Sequence, residues 1–438
     1  MSNRSETPEA RQQRLTTYLD GLAEAAGHAD RAVPLKLYCT GLLLPGERKS
    51  IEPMAARLAP DNVRRMHQSL HHVVAEAPWS DEALLDRVRD YVLPVMEKRS
   101  PVVAWIVDDT GIPKKGTHSV GVARQYCGQT GKQDNCQVTV SLSVATWTSS
   151  LPVAWRLYLP ESWANTKERR AEARIPEQIA FQTKLEISLD QIRQAIAAGI
   201  PKGTVLADPA YGNDTAFRQA LADMGLHYVV GVQSTTTVWP PGIEPLPAPK
   251  YSGRGQPPSR LRRDANHAPE SAKQLALALP AKAWKTVTWR EGTRAPLRSR
   301  FAAVRVRAAH RDYNRSVPHP EQWLLIEWPR GEGAPSKYWM SNLADTTRLR
   351  DLVAMGKQRW IIERDYQELK QELGLGHFEG RGWRGFHHHA ILCIAAYGFL
   401  VAERGLFSPS VRAGHLGLSA PQIPPDFQPR GSHPPTAA

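Results

Sequence analysis

Apolar positions along the chain follow two rhythms, and the switch between them sets the domain plan. Through residues 1–95 they recur at helical spacing, in "RQQRLTTYLDGLAEAAG", "SIEPMAARLA" and "DEALLDRVRDYVLPVMEKR", which predicts an all-helical N-terminal module. From residue 96 the runs "PVVAWIVDDTG", "CQVTVSLSVATW" and "LPVAWRLYLP" are short, β-branched and bounded by turn residues, so they predict three strands, with a glycine-rich, basic connection between the first two. A helix from about Pro176 to Ala198 follows. Then come a buried strand in "GTVLADPAYG", a capped helix in "NDTAFRQALADMG" and a strand in "HYVVGVQ", which complete residues 96–239. Prolines punctuate "VWPPGIEPLPAPKYSGRGQPPSR", a linker or surface loop, before the aromatic, strand-like runs "WKTVTW", "SRFAAVRVRAAH", "EQWLLIEWP" and "KYWMSNL"; residues 240–345 read as a β-rich insertion. Residues 346–407 return to helical spacing, ending in the apolar "AILCIAAYGFLVAERGL", too short at 17 residues for a membrane span and expected in the core. Residues 408–438, rich in proline, glycine and serine, are expected to be a disordered tail.

A three-strand meander followed by alternating helix and strand describes an α/β fold: a mixed sheet flanked by helices, of the kind found in ribonuclease-H-like cores. Within the last helical part, "QRWIIERDYQELKQELGLGHFEGRGWRGFHHHA" opens as an amphipathic helix. Ile362, Tyr366, Leu369 and Leu373 fall on one side at 100° per residue and form the buried stripe. Glu363 sits at the edge of that stripe, and Arg359 and Lys370 lie within about 40° of it on the same wheel. Glu368 and Glu372 face the other way, where water can solvate them. A carboxylate beside a packed stripe needs a cation, either the arginine four residues before it or a metal.

Composition narrows the function. The chain carries 56 Lys+Arg against 43 Asp+Glu, a net charge of +13, which fits a polyanionic partner and points to nucleic acid. Basic residues cluster in "KSIEPMAARLAPDNVRRMHQSLHH", "RGQPPSRLRRD" and "PLRSRFAAVRVRAAHRDY". Cys39, Cys127, Cys136 and Cys393 form neither a disulfide framework nor a spaced zinc site, so reduced thiols are expected. The N-terminus has no apolar signal region, which makes the cytoplasm the expected compartment and a membrane role unexpected.

The acidic residues can then be sorted. Asp108 and Asp109 end the first strand, Asp208 ends a later one 99 residues beyond Asp109, and Glu363 follows 155 residues further on a helix. An aspartate after a strand is also a common turn former. Three carboxylates converging without cations would repel one another, and divalent ions with hard oxygen preference, Mg²⁺ or Mn²⁺ rather than zinc, relieve that.

These residues resemble a family, the DDE transposases of bacterial insertion sequences. One large branch carries its glutamate in a Tyr-x2-Arg-x3-Glu-x6-Lys signature, which Arg359, Glu363 and Lys370 match, while Gly356 stands where the tyrosine would be. "DDTGIPKKGTHSVGVARQYCGQTGKQDNCQV" and "ELGLGHFEGRGWRGFHHH" are similar to the blocks that follow the first aspartate and the glutamate in one group of that superfamily. The resemblance covers roughly residues 30–400. It implies a ribonuclease-H-like catalytic core with Asp109, Asp208 and Glu363 as catalytic metal ligands; Asp109 is preferred because relatives place the aspartate directly before Thr or Ser, and Asp108 is the alternative. It implies two Mg²⁺ ions, replaceable by Mn²⁺, which in such sites lie about 4 Å apart and drive in-line attack on a phosphodiester by water and then by the freed 3′-hydroxyl. The expected substrate is double-stranded DNA, both terminal inverted repeats and target, bound by a homodimer at the bacterial nucleoid. Arg359 and Lys370 would hold phosphates beside the metals, and Lys114, Lys115 and Arg124, with His118, would contact the DNA backbone. The helices before residue 95 are a candidate DNA-binding module.

Other features have plainer readings. Consecutive His387, His388 and His389 face different directions on a helix and are expected at the surface near DNA; Trp383 and Phe386 either stack on a base or pack in the core. A ribonuclease-H-fold nuclease or resolvase lacking strand transfer shares the acidic triad, and a non-catalytic DNA-binding derivative shares the basic surface.

Overall fold

The structure is a computed structural model that describes residues 7–407 except 254, 255, 257 and 292–294. The expected tail, 408–438, lies outside the described residues, as do Arg254, Gly255 and Pro257 of one basic stretch. The architecture is the mixed α/β one expected, twelve mostly antiparallel strands flanked by helices. The strands are β1 Ala104–Pro113, β2 Ala123–Cys127, β3 Lys132–Ala145, β4 Ser150–Leu157, β5 Thr204–Ala207, β6 Tyr228–Val232, β7 Thr237–Trp239, β8 Glu270–Ser271, β9 Lys285–Arg290, β10 Leu297–Ala308, β11 Glu321–Trp328 and β12 Lys337–Ser341. Two compact units share them. One comprises Met1–Val102, Asp109–Ala198 and Ile361–Ala438, the other Val103–Asp108 and Gly199–Trp360.

In the first unit, the helices Pro8–Ala25, Ala29–Leu43 and Asp81–Arg99 pack around the 24-residue helix Trp383–Leu406. That helix is buried around its whole circumference and mostly apolar, as enclosure favours. It is also long and apolar enough to cross a bilayer, and its most apolar stretch is wholly buried inside the protein. Its few polar groups are answered one by one. Tyr18 donates its hydroxyl to the Ala395 carbonyl at 2.8 Å, and the buried Glu403 accepts two guanidinium bonds of 2.8 Å from Arg14. Gly398 allows the close approach of Asp81–Arg99, because a Cβ there would lie 2.9 Å from Val88 Cγ1. On the sheet side β3 pairs with β2 through its first residues and with β4 through its last, both antiparallel.

The polar run expected as a loop before β3 is partly a strand. β2 alternates half-exposed and exposed positions and meets β3 across the "GQTG" turn, where Gly131 takes a φ of +67°. A strand with one wet face and no β-branched run leaves little apolar signal. The histidines also differ from expectation. His387, His388 and His389 are buried, because the helix on which they sit is enclosed on every side. His387 Nδ1 faces the Trp383 carbonyl while Nε2 accepts from the Leu157 amide; His389 bridges the Tyr38 hydroxyl and the Gly374 carbonyl. His388 stacks on Trp79 at 3.5 Å and turns one nitrogen to Val74 O and the other to Trp79 O. Trp383 and Phe386 are core residues.

In the second unit the first half of β1 pairs parallel with β5, and β5 parallel with β6. The remaining strands add antiparallel: β12 on β6, then β11, then β10, with β9 and β7 along β10 and β8 beyond β7. Val232, Val306, Leu324, Ile326 and Met340 form one apolar layer of this sheet, and Phe301 and Leu325 pack with Leu352 and Val353 of the helix Leu349–Lys357 to form the other. Gly356 of that helix lies against the sheet, where a Cβ would stand 3.3 Å from Leu325 Cδ2, so any side chain at this position would press on that leucine.

Burial pushes the pKa of His387 and His389 down to about 4 and that of His388 to about 3. A histidine depressed in the folded state contributes stability that is complete above its unfolded value of 6.5 and is lost as pH falls toward the folded value. Urea unfolding should therefore show stability falling between pH 6.5 and 4 with an uptake of up to three protons, each adding about 1.4 kcal/mol per pH unit. A flat profile over that window would contradict neutral, buried rings.

Candidate active site

The structure corrects one expectation about the carboxylates: Asp108 and Asp109 do not end the first strand but lie in the middle of β1, which the buried Thr110, Gly111 and Ile112 carry on to Pro113, whereas Asp208 follows the end of β5 and Glu363 lies in the first turn of a helix. β1 carries Asp108 and Asp109 as neighbours, so their side chains leave opposite faces of the strand. In the second unit, Asp108 is 9% exposed and accepts a guanidinium bond of 2.9 Å from Arg359. The last residues paired between β1 and β5 are Ile106 and Leu206; Asp108 and Asp208 each follow two positions later, at the same level of adjacent parallel strands. Asp208 is half-buried and caps the turn Pro209–Gly212, its Oδ1 accepting from the Ala210 amide at 2.9 Å. The turn lies flush on β6 because both contact residues are glycine: a Cβ on Gly212 would stand 2.0 Å from Gly231 O, and one on Gly231 would stand 2.8 Å from Pro209 Cδ.

In the first unit Asp109 is paired with Lys184, which sequence reasoning did not single out. Lys184 opens the helix Lys184–Ala197, fixed by a capping box in which Thr183 Oγ1 accepts from the Glu186 amide at 3.2 Å and Glu186 Oε2 from the Thr183 amide at 2.7 Å. Its ammonium lies 5.8 Å from the centre of the Tyr158 ring. The helix expected from Pro176 thus begins at Lys184, with Thr183 as its cap. The capping box itself was legible in "TKLE"; that its first residue would reach β1 was not.

The helix Ile361–Gln371 is held against this part of the sheet at several points. Tyr366 and Ser141 share a hydroxyl contact of 2.5 Å, and Lys370 Nζ donates to the Gly111 carbonyl at 3.0 Å. Asp365, fully buried, accepts from Ser150 and, at 2.6 Å, from Tyr397; burial pushes its carboxyl up to about 7. Glu368 receives both guanidinium nitrogens of Arg404, at 2.7 and 2.8 Å, so it is not the solvated acid expected from the wheel. Glu363 alone among the acids of this helix is exposed, and it has no hydrogen-bond or ion-pair partner among the described residues. The predicted stripe of Ile362, Tyr366, Leu369 and Leu373 is buried as expected.

Arg359 does not belong to that helix. It lies in a 3₁₀ turn, Gln358–Trp360, that separates Leu349–Lys357 from Ile361–Gln371, so the 100° wheel does not run through it, and its guanidinium goes to Asp108. Of the other basic residues, Lys114 donates to the Phe378 carbonyl at 2.8 Å, and burial lowers its pKa. Lys115 and Arg124 are exposed, as is His118, which stands 3.8 Å from Glu172.

The donor set is entirely carboxylate oxygen, the chemistry of Mg²⁺ or Mn²⁺. The ammonium of Lys184 neutralises Asp109, and Glu363 is exposed to solvent. Among the described residues no three metal-ligating side chains are gathered into a ready cluster.

Comparison with known proteins agrees with this chemistry. The sequence profile of a family described as DDE superfamily endonuclease matches residues 18–296, more than half of the chain, a stretch that contains Asp109 and Asp208 and stops before Glu363. A probable transposase for insertion sequence element IS701 from Microchaete diplosiphon is 30% identical over 189 residues, 43% of this chain and 45% of the relative; the match thus spans less than half the length of that relative. The chain belongs to the DDE superfamily endonucleases.

Proposed function

We propose that this endonuclease is a transposase that binds the ends of a DNA element, cuts there by metal-dependent phosphodiester hydrolysis and joins the freed 3′-hydroxyl to target DNA, with Asp109, Asp208 and Glu363 as metal ligands. The observation that carries the reading is the sorting of acids on the helix Ile361–Gln371: Asp365 and Glu368 are each held by protein donors, and Glu363 is left for a cation from outside. Asp109 is preferred over Asp108 for a similar reason. Asp108 is closed in by Arg359, and the Asp109 side chain keeps a quarter of its surface exposed toward a lysine that can swing away.

Asp109, Asp208 and Glu363 would hold Mg²⁺, two ions in this reading, which when bound would supply charge neutralisation at the phosphodiester. The remaining roles fall to the chain itself. Lys370, anchored on Gly111 O, fixes the helix that presents Glu363. Arg359 keeps the buried Asp108 charge compensated within β1. Lys115 and Arg124, with the exposed Arg64 and Arg65 of the helix Val63–His71, offer phosphate contacts to a duplex. The same reading has a homodimer working on paired inverted repeats at the bacterial nucleoid.

The deciding assay is Mg²⁺-dependent cleavage and joining of a labelled duplex carrying the element's terminal inverted repeat. Glu363→Gln should lose nicking by at least about a hundredfold while keeping DNA binding and thermal stability, since among the described residues Glu363 has no hydrogen-bond or ion-pair partner to lose. Glu368→Gln should instead lower stability by about 1–3 kcal/mol, because Arg404 is left without its carboxylate. Loss of nicking in Glu368→Gln at unchanged stability would move the third ligand to Glu368, and nicking without joining would mark a nuclease.

A second comparison separates the neighbouring aspartates. Asp109→Asn should abolish nicking in a stably folded protein, whereas Asp108→Asn should remove the carboxylate charge that Arg359 faces and act through stability; the reverse pattern would make Asp108 the ligand. Finally, removing the ammonium beside Asp109 with Lys184→Met should tighten Mn²⁺ binding several-fold in a calorimetric titration, and weaker binding would show that Lys184 does not compete with the metal.

A further inference from the structure

Away from the acidic residues, the first unit contains a cavity of about 220 Å³ with an unusual lining. Its walls come from the C-terminal turns of Asp81–Arg99 and Trp383–Leu406, the turn between β3 and β4, and the helix Ile361–Gln371. Three arginines reach it: Arg99, Arg364 and Arg404. They are not equivalent. Arg404 is compensated by its two bonds to Glu368, whereas Arg99 gives only its Nε to the Gly405 carbonyl at 2.5 Å. Arg364 makes no hydrogen bond or ion pair among the described residues. The nearest acid beneath, Asp365, is taken up by Ser150 and Tyr397. Two guanidinium groups therefore line the cavity without a hydrogen-bonded carboxylate among the described residues, together with Thr148, and Met96, Val401 and Tyr397, all buried, supply its apolar lining.

A guanidinium pair with spare N–H donors matches the oxygens of a phosphate, and an apolar floor matches a sugar or base edge. The volume lies below the roughly 300–1,000 Å³ of drug-sized sites, so the cavity admits one phosphate ester with a small body and not a polymer. We propose that it binds a single nucleotide, with the phosphate between Arg99 and Arg364 and the rest on the Met96–Val401 floor. Two sources share this chemistry: one nucleotide of a DNA strand held by the enzyme, or a free mononucleotide. The first source rests on the DNA-cutting reading above. It is favoured by the position of Arg364, next in sequence to Glu363 on the exposed first turn of the same helix, so that a strand lying at Glu363 runs close to the cavity mouth.

The test uses the full chain and two kinds of variant. Arg364→Gln removes the charge; Val401→Phe and, at the exposed rim, Thr148→Tyr fill or block the cavity and leave every arginine in place. Thr148→Tyr guards against misfolding of the core variant. Calorimetry with deoxyadenosine 5′-monophosphate should show binding to the wild type, at least about tenfold stronger than deoxyadenosine or inorganic phosphate, and a loss of about tenfold or more in Arg364→Gln and in the blocked variants. Binding to a labelled oligonucleotide across a salt series identifies the source. A weaker affinity in the blocked variants, with a salt slope reduced by about one in Arg364→Gln, assigns the site to a DNA nucleotide; unchanged DNA binding with lost mononucleotide binding assigns it to the free ligand. The proposal is overturned if the mononucleotide does not bind and the blocked variants hold DNA like the wild type, or if Arg364→Gln weakens DNA binding and Thr148→Tyr does not, which is bare surface charge. Nicking that depends on Glu363 in a protein failing this test leaves the proposed function standing without the cavity; mononucleotide binding in a protein that never nicks does the opposite.

Discussion

Two adjacent carboxylates in the middle of a buried strand are the constraint around which this protein is arranged. Asp108 and Asp109 cannot share a counterion, because β-strand geometry sends their side chains to opposite faces. The fold supplies two. Arg359 is delivered by a 3₁₀ turn that interrupts what would otherwise be one long helix, and Lys184 by a helix whose start is set by a capping box. Both local features look incidental in isolation. Each places one cation on one carboxylate, and without them the middle of β1 would carry uncompensated negative charge in a partly desolvated place.

The same economy governs the enclosed helix Trp383–Leu406. Enclosing a helix costs little for its backbone, which satisfies itself, and much for each polar side chain. Here every histidine nitrogen has a backbone or hydroxyl group in reach, and Glu403 has Arg14. The helix can therefore serve as the axis of the first unit although its sequence is not uniformly apolar.

Much of the fold was legible in the chain. The β-branched runs became strands nearly where the pattern put them, and the stripe from Ile362 to Leu373 is buried. What escaped depended on partners far away in sequence. Lys184 reaches an aspartate 75 positions earlier, and no periodicity encodes that. The break at Arg359 carries no proline to announce it. β2 is half-wet and short, and its partner strand decides its state more than its own residues do. The histidine triplet was misjudged because consecutive polar residues normally include a solvated face, a rule that lapses when neighbours close on a helix from all sides. For the candidate site, the positions of the acids were readable; which of them the protein had already occupied was visible only in three dimensions.

The border between the two compact units falls inside β1, between Asp108 and Asp109, and the first unit draws on both ends of the chain. A ribosome delivers the helices before residue 100 long before the helix from Trp383 that they enclose. Until that last segment emerges, the apolar faces of Pro8–Ala25, Ala29–Leu43 and Asp81–Arg99 have no axis to close on. Such sequence-distant pairing is slow and leaves sticky intermediates. In a chain cut off before residue 383 those apolar faces would stay uncovered, the kind of surface that chaperones and proteases recognise.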